Sequence, residues 1–403
     1  HERMTKQGTI TRKRYASIQL LAGAAVAAVG VLLQGIGPKS IYDLPLYLIV
    51  IGVAVAVGAL DMAVRKKRYA DTVDLSRRHI MHLIGDNALI IALVALVVLI
   101  AVVQPKFLQL RVMRDILTQM SPRLVVALGG GLAILIGGCD LTTGRMVGLS
   151  AVVSSSLLQD RDYANLFFPN LPKLPLVVGI GVALLVCMLF GALCGALVAV
   201  FDVPAIIATL ATQVIIYGSN SLYYGLNGSQ PVGGLREDFA AIGQTRLFGE
   251  IPILIPIALG IMAIMWFILN YTEFGKNIYA VGGNRQAAVV SGINVRLTIF
   301  CLFLLASVLY GCAGIMEATR TAGATNVYGT NYEMDAIASC VVGGFSISGG
   351  GGKVSGVFIG VLIFNIISYG LNFIGLDPMW QQVIKGVIIA TAVAMDMHKN
   401  VRQ

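Results

Sequence analysis

Long apolar runs separated by short polar stretches fill the chain from about residue 17 to residue 397. Twelve of them are candidate membrane segments, at about 17–34, 44–64, 88–103, 118–137, 144–158, 174–200, 204–222, 251–270, 297–316, 334–347, 354–374 and 379–397. Lipid offers the backbone no hydrogen-bond partners, so each segment must close its bonds within a helix. The short alternating strands of a membrane barrel do not occur. The pattern predicts an all-α, polytopic transmembrane helix bundle. A straight span takes roughly 20 residues. The runs 144–158 and 334–347 fall short of that and read as tilted fragments or broken helices sheltered by their neighbours.

One polar stretch, Thr272 to Val295, reads TEFGKNIYAVGGNRQAAVVSGINV and lies between the runs 251–270 and 297–316. Gly275 and the Gly282-Gly283 pair are read as positive-φ turns, which glycine adopts at low steric cost. Asn284 is placed to cap a helix over Gln286 to Val290, and Gly292 is a natural stop for it. The stretch is then a short helix with glycine joints, laid across the ends of two spans so as to present a surface.

Composition agrees with a membrane protein. The chain is 57% apolar and 12% charged, against about 25% charged in soluble domains. Its net charge of +9 follows membrane orientation rather than nucleic acid, which is not an expected partner. With the amino terminus inside, 18 of the 29 Lys and Arg residues fall in inner segments and 10 in outer ones, the bias expected of cytoplasmic loops. This places both termini and the 272–295 loop in the cytoplasm. Residues 1–87 form an amino-terminal extension with two spans and a basic linker, Arg65-Lys66-Lys67-Arg68 with Arg77-Arg78, anchored against membrane lipid; residues 88–403 form the core. The six cysteines sit in apolar runs without metal spacing and read as packing residues. The four histidines are scattered, and neither a metal site nor a secretory signal is expected.

Catalytic chemistry is not expected either. Gly352-Lys353 follows a glycine run, but Ile347 and Val354 occupy positions where a phosphate loop needs Gly and Ser or Thr. The small-residue series Gly144/Gly148, Gly191/Gly195 and Gly352/Gly356/Gly360 suit close helix packing. Two glycine-rich breaks, GGGLAILIGGCDLTTGRMVG at 129–148 and VVGGFSISGGGGKVSGVFIG at 341–360, suggest a distant internal duplication. Polar groups within spans are costly and mark function. Asp140, Gln213, Asn220, Asn365, Tyr369, Trp380 and Gln381 are the candidate pathway residues, and Glu317, Asn326, Asp335, Asn372 and Lys385 belong to the same polar set. As a set they suit a neutral polar solute better than an ion.

The loop run Gly275-Lys276-Asn277-Ile278-Tyr279-Ala280-Val281-Gly282-Gly283-Asn284, with Ala287-Ala288 and Ser291-Gly292-Ile293-Asn294, resembles the coupling loop of bacterial sugar ABC-transporter permeases, the ribose and methyl-galactoside permeases above all. So do Asp140-Leu141-Thr142-Thr143-Gly144, Gly343-Gly344-Phe345-Ser346, Tyr332 to Ala338 and Trp380 to Gly386, over roughly residues 88–397. Thr142-Thr143 and the four glycines Gly349 to Gly352 depart from the usual family pattern. The resemblance implies a ten-segment, vitamin-importer-like core with two added helices, paired with a second copy of itself in a bacterial inner membrane. It implies an ABC ATPase subunit that carries ATP and magnesium, so that this chain binds no cofactor. A periplasmic or lipid-anchored sugar-binding protein would deliver a galactose-, glucose- or ribose-like monosaccharide to outer loops such as 223–250 and 317–333. Glu273, Gly275, Asn277, Gly282, Gly283, Asn284, Ala287, Ser291, Gly292 and Asn294 become the candidate ATPase-coupling residues. A nucleoside or other small polar cargo, an ion-coupled carrier and a non-transporting scaffold are the alternatives.

Overall fold

The computed structural model describes residues 9–11, 72–74, 97, 100, 102–377, 379–387 and 390. The segments expected at 17–34 and 44–64, most of 88–103 and the end of the last segment lie outside the described residues, and with them the extension's two spans. The described residues form two compact units. One takes those up to Asp115 and Ile366–Asp377; the other takes Ile116–Asn365 and those after 378.

In the first unit, β1 (Thr9–Thr11) pairs antiparallel with β2 (Thr72–Asp74), so the chain that leaves β1 comes back beside it. A 3-10 turn over Pro105–Leu108 presents Phe107 edge-on to Phe373, with ring centroids 5.5 Å apart. Gly370 lets Ile100 press against its backbone.

The helices that follow are α1 (Leu110–Leu135), α2 (Thr143–Leu157), α3 (Leu176–Ala199), α4 (Ala205–Gly225), α5 (Glu237–Gln244), α6 (Leu254–Tyr271), α7 (Glu273–Gly283), α8 (Arg285–Val290), α9 (Val295–Thr321), α10 (Tyr332–Val342) and α11 (Val354–Phe373). A last helical stretch covers 379–387. Among the described residues, strand is confined to β1, β2 and a two-residue hairpin, β3 (Arg246–Leu247) with β4 (Ile251–Pro252). The protein is an all-α membrane bundle, and among the described residues five helices, α3, α4, α6, α9 and α11, are long and apolar enough to cross a bilayer.

The 27 residues of α9 make it about 40 Å long. It is the most enclosed of the five and packs on α2, α3, α5 and α7. Gly191 and Gly195 let α3 approach Phe303 and Ser307 of α9 without a Cβ between them. Gly144 and Gly148 admit the 326–329 backbone, and Gly356 and Gly360 admit Gly343 and Ser339. All three small-residue series are therefore used for packing inside one chain. The outward faces of α3, α4 and α6 carry exposed Leu185, Leu189, Ile207, Val214, Ile264 and Phe267, as a lipid-facing surface requires.

The two short helices are the two short runs of the sequence. At 15 and 11 residues, α2 and α10 are about 22 and 16 Å long, less than a membrane thickness. Each starts deep in the bundle. Tyr310, near the middle of α9, donates to Asp140 just ahead of α2, and Gly144 sits against the Gly329 carbonyl and Glu333 at the start of α10. The sequence places the start of α10 at the outer face. It begins at mid-depth because residues 325–331 run inward along α2, where Gly144 and Gly148 leave room for backbone. Arg123 and Arg145, counted above toward the charge bias, lie within helices of the bundle, inside the runs 118–137 and 144–158.

Segments assigned to the same side by charge gather at the same end of the second unit. At one end lie Gly137, Asp202, α7, α8 and Ser348 to Gly352, linked by the Arg285–Asp202 ion pair at 2.5 Å. At the other, Val232 bridges Ala324 and Gln159 bridges Leu235. Arg236 clamps this second end, donating to both Asp238 oxygens at 2.6 and 2.5 Å and to the Leu174 carbonyl at 2.7 Å. Those bonds hold the Asp238 carboxyl below its ordinary range. Phe239 of α5 is wholly buried with Leu158 and Ile315, plugging this end of the bundle.

Candidate functional site

The polar stretch 272–295 folds as an elbow of two helices. The Thr272 side chain caps α7 by accepting from Gly275 N–H at 3.1 Å. Asn284 ends α7 and caps α8, accepting from Ala287 N–H at 2.9 Å. Gly292, at φ +83°, stops α8, and Asn294 caps α9 by accepting from Leu297 N–H at 3.0 Å. The cap at Asn284, the short helix and the stop at Gly292 are where the sequence placed them.

The roles expected of Gly275, Gly282 and Gly283 are corrected. None has positive φ; all three lie in α7, a helix that the sequence reading treats as turns. Gly275 and Gly282 are needed for contact rather than conformation. A Cβ on Gly275 would overlap the backbone of Ile268 and Leu269, and one on Gly282 would overlap the Leu135 carbonyl and the Gly350 amide. Gly283 faces open space.

Gly282 marks the main feature of the site. The Gly350 N–H donates to the Leu135 carbonyl at 2.8 Å, and Gly282 lies against both. A Cβ on Gly349 would come within 2.8 Å of both Gly137 N and the Gly282 carbonyl. Tyr279 donates its hydroxyl to the Gly352 carbonyl at 2.9 Å. The elbow thus rests on both glycine-rich breaks, and the breaks rest on each other. Tyr279→Phe removes one bond of this junction and nothing else. We expect transport to fall by about two- to ten-fold, the worth of one ordinary hydrogen bond, with no change in yield; unchanged initial uptake in proteoliposomes would remove Tyr279 from the junction.

The outward side of the elbow carries Glu273, Asn284, Ala287, Ser291, Gly292 and Asn294, all exposed, while Asn277 is half-buried. Beside them stand Val289, 59% exposed, and Val290, 88% exposed. These two valines form an apolar tip that the motif reading missed, although two adjacent apolar residues ahead of Gly292 were a visible signal.

The pathway candidates do not come together as one set. Asp140 is buried, and its carboxylate accepts from Thr142 N–H at 2.9 Å, Thr142 hydroxyl at 2.6 Å and Tyr310 hydroxyl at 2.9 Å. It lies just ahead of α2, bonded to the N-cap residue Thr142, where the helix dipole favours an anion, and ties that end to α9. Asn220 is buried on α4 and its Oδ1 has no partner; Gln213 lies half-buried on the same helix. Arg145 of α2 lies over the Tyr217 ring of α4, 4.5 Å from its centroid. Tyr369 stacks on Phe373 at 6.2 Å. Trp380 is 62% exposed.

Gln381 and the surroundings of Asn365 belong to a different group. A cavity of about 390 Å³ opens in front of the first turn of α10, lined by Arg123, Tyr332, Asp335, Gln381, Gln382 and Lys385 with four further residues. Lys385 is paired with Asp335 at 3.1 Å. Arg123 donates to the Asn365 amide oxygen at 3.2 Å and lies over the Tyr332 ring, 5.3 Å from its centroid. Tyr332 reaches Glu317 at 3.4 Å, which holds Arg320 at 2.6 Å. Arg123 and Gln382 were not on the candidate list.

A bundle with two broken helices that meet at mid-depth, a polar cavity at that depth and a helical elbow braced against both breaks fits a membrane permease. The sequence model for the family described as branched-chain amino acid transport system / permease component matches residues 112–393. The galactose/methyl galactoside import permease protein MglC of Escherichia coli K12 is 42% identical over 336 residues, 82% of this chain and 99% of that protein. Its counterpart in Salmonella typhimurium LT2 is 41% identical over the same shares. The ribose import permease protein RbsC of Escherichia coli K12 is 34% identical over 315 residues, 77% of this chain and 93% of that protein. No solved structure matches. The chain belongs to the sugar ABC-transporter permeases of the ribose/methyl-galactoside family. It is a permease subunit of a monosaccharide importer and not itself the enzyme; hydrolysis of ATP belongs to a separate subunit. The ion-coupled and scaffold alternatives fall with that assignment.

Proposed function

We infer that the chain imports a hexose of the galactose or methyl galactoside type, as one of two identical permease subunits in the inner membrane. The identity of 42% to a galactoside permease, against 34% to a ribose permease, supports the choice of sugar. Both termini and the elbow face the cytoplasm. ATP and magnesium sit on the partner ATPase, and a binding protein delivers the sugar at the end clamped by Arg236. The ATPase grips the α7–α8 elbow, with Val289 and Val290 entering an apolar groove.

The observation that carries this reading is the seat of the elbow on both glycine breaks. Closure of an ATPase pair does work on the bundle only if the two end states differ in their contacts with it, and Gly282, Tyr279 and Gly350 supply contacts that a moving elbow must change. Val290→Asp, at an exposed position, puts a charge into the groove at the cost of desolvating it. We expect the ATPase to co-purify at least about ten-fold less while the permease itself remains folded. Full recovery of the ATPase with this variant would place the contact elsewhere. Uptake by the assembled importer settles the sugar: labelled galactose should enter and be displaced by methyl galactoside, whereas preferential entry of ribose would reverse the choice.

A further inference from the structure

We propose that the cavity in front of α10 is a binding site for the sugar ring inside the permease, where Arg123, Gln381 and Gln382 hydrogen-bond its hydroxyls during passage. This rests on the monosaccharide reading above and adds to it a contact site within this chain.

Three features support the assignment. The first is depth. Tyr332 and Asp335 belong to the first turn of α10, and that turn abuts the start of α2 at the middle of the bundle. Polar side chains at such depth are costly unless they serve a pathway, and broken helices that start at mid-depth line such sites. The second is size: about 390 Å³ falls in the ordinary range of roughly 300–1,000 Å³ for small-molecule sites.

The third is chemistry. Lys385 is already paired with Asp335, and Arg320 with Glu317. Arg123 bonds the Asn365 amide and the Tyr332 side chain, and the Asp335 and Glu317 carboxylates stand near its charge. Its planar fork has five N–H donors, so donors remain for a pair of adjacent hydroxyls. Gln381 and Gln382 add amides that both donate and accept. Such a lining matches a neutral polyol. The Tyr332 ring is covered by the guanidinium, so hydroxyl contacts rather than ring stacking select the solute.

The test uses the full importer, permease with ATPase and binding protein, in proteoliposomes. Sugar uptake and ATP hydrolysis stimulated by the loaded binding protein are measured together. Arg123→Gln and Gln381→Ala should lower uptake per ATP hydrolysed by about ten-fold, the effect of losing a hydrogen bond to the passing solute, with stimulated hydrolysis kept within about two-fold. Gln382→Trp, at an exposed position, should obstruct the cavity and do the same; it decides the matter if Arg123→Gln fails to assemble. Wild-type uptake per ATP in Gln381→Ala and Gln382→Trp overturns the site while leaving the importer reading intact. Absence of monosaccharide uptake by the wild-type importer overturns the importer reading instead.

Discussion

Replacing Gly282 with alanine should abolish coupling, whereas the same change at Gly283 should pass almost unnoticed. The two glycines are neighbours in one helix and equivalent to any reading of local conformation. Their surroundings differ completely. A Cβ at 282 would overlap the Leu135 carbonyl and the Gly350 amide, while one at 283 meets nothing within 4 Å. Neither neighbour at 282 can easily give way, because each is the other's hydrogen-bond partner at 2.8 Å. Relief requires α7 to lift off the breaks or the breaks to part. Overpacking of this kind costs about 1–3 kcal/mol and more where backbone is involved. At 283 alanine relieves the helix of a glycine, a gain of up to about 1 kcal/mol. Uptake in reconstituted importer should fall at least about ten-fold for Gly282→Ala and stay near wild type for Gly283→Ala. Equal behaviour of the two variants would mean that the elbow does not bear on the breaks as described.

The second large effect is expected at Asp140. Its carboxylate serves three buried donors, two from Thr142 and one from Tyr310. Asp140→Ala leaves all three without an acceptor, at about 1–3 kcal/mol each before relaxation, and removes the anion from the front of α2. A loss of roughly 3–6 kcal/mol should appear as a marked fall in the melting temperature of the detergent-purified permease. Asp140→Asn keeps one acceptor oxygen and should be milder; Tyr310→Phe removes one bond and should be milder still. If Asp140→Ala melts with the wild type, the carboxylate is not the anchor of α2, and a place for it on the solute path regains force.

These two sites show how far the sequence could be read. Asn284, Gly292 and the two short runs at 144–158 and 334–347 were legible because capping, positive φ and span length are local properties. The helix Glu273–Gly283 was not. A glycine that permits contact looks the same in sequence as one that permits a turn, and Gly282 meets residues as distant in the chain as Leu135 and Gly350. Depth was hidden for a similar reason. Arg145 was counted with the loop charges because hydropathy assumes that a segment crosses in one piece, while α2 starts half-way; Arg123 lies well inside α1 and the run 118–137. Asp140 was recognised as costly to bury, but its partner Tyr310 lies in another helix that no spacing rule connects to it. The cavity lining was seen only in part, as Asp335, Gln381 and Lys385, because Arg123 and Gln382 join it through tertiary packing alone.

Tyr279 and Gly282 stand on one short rod that touches both interruptions of the bundle. If the proposed ATPase contact pulls on that rod, both halves should move together, and replacing Tyr279 or Gly282 should raise the passage of sugar in the absence of ATP.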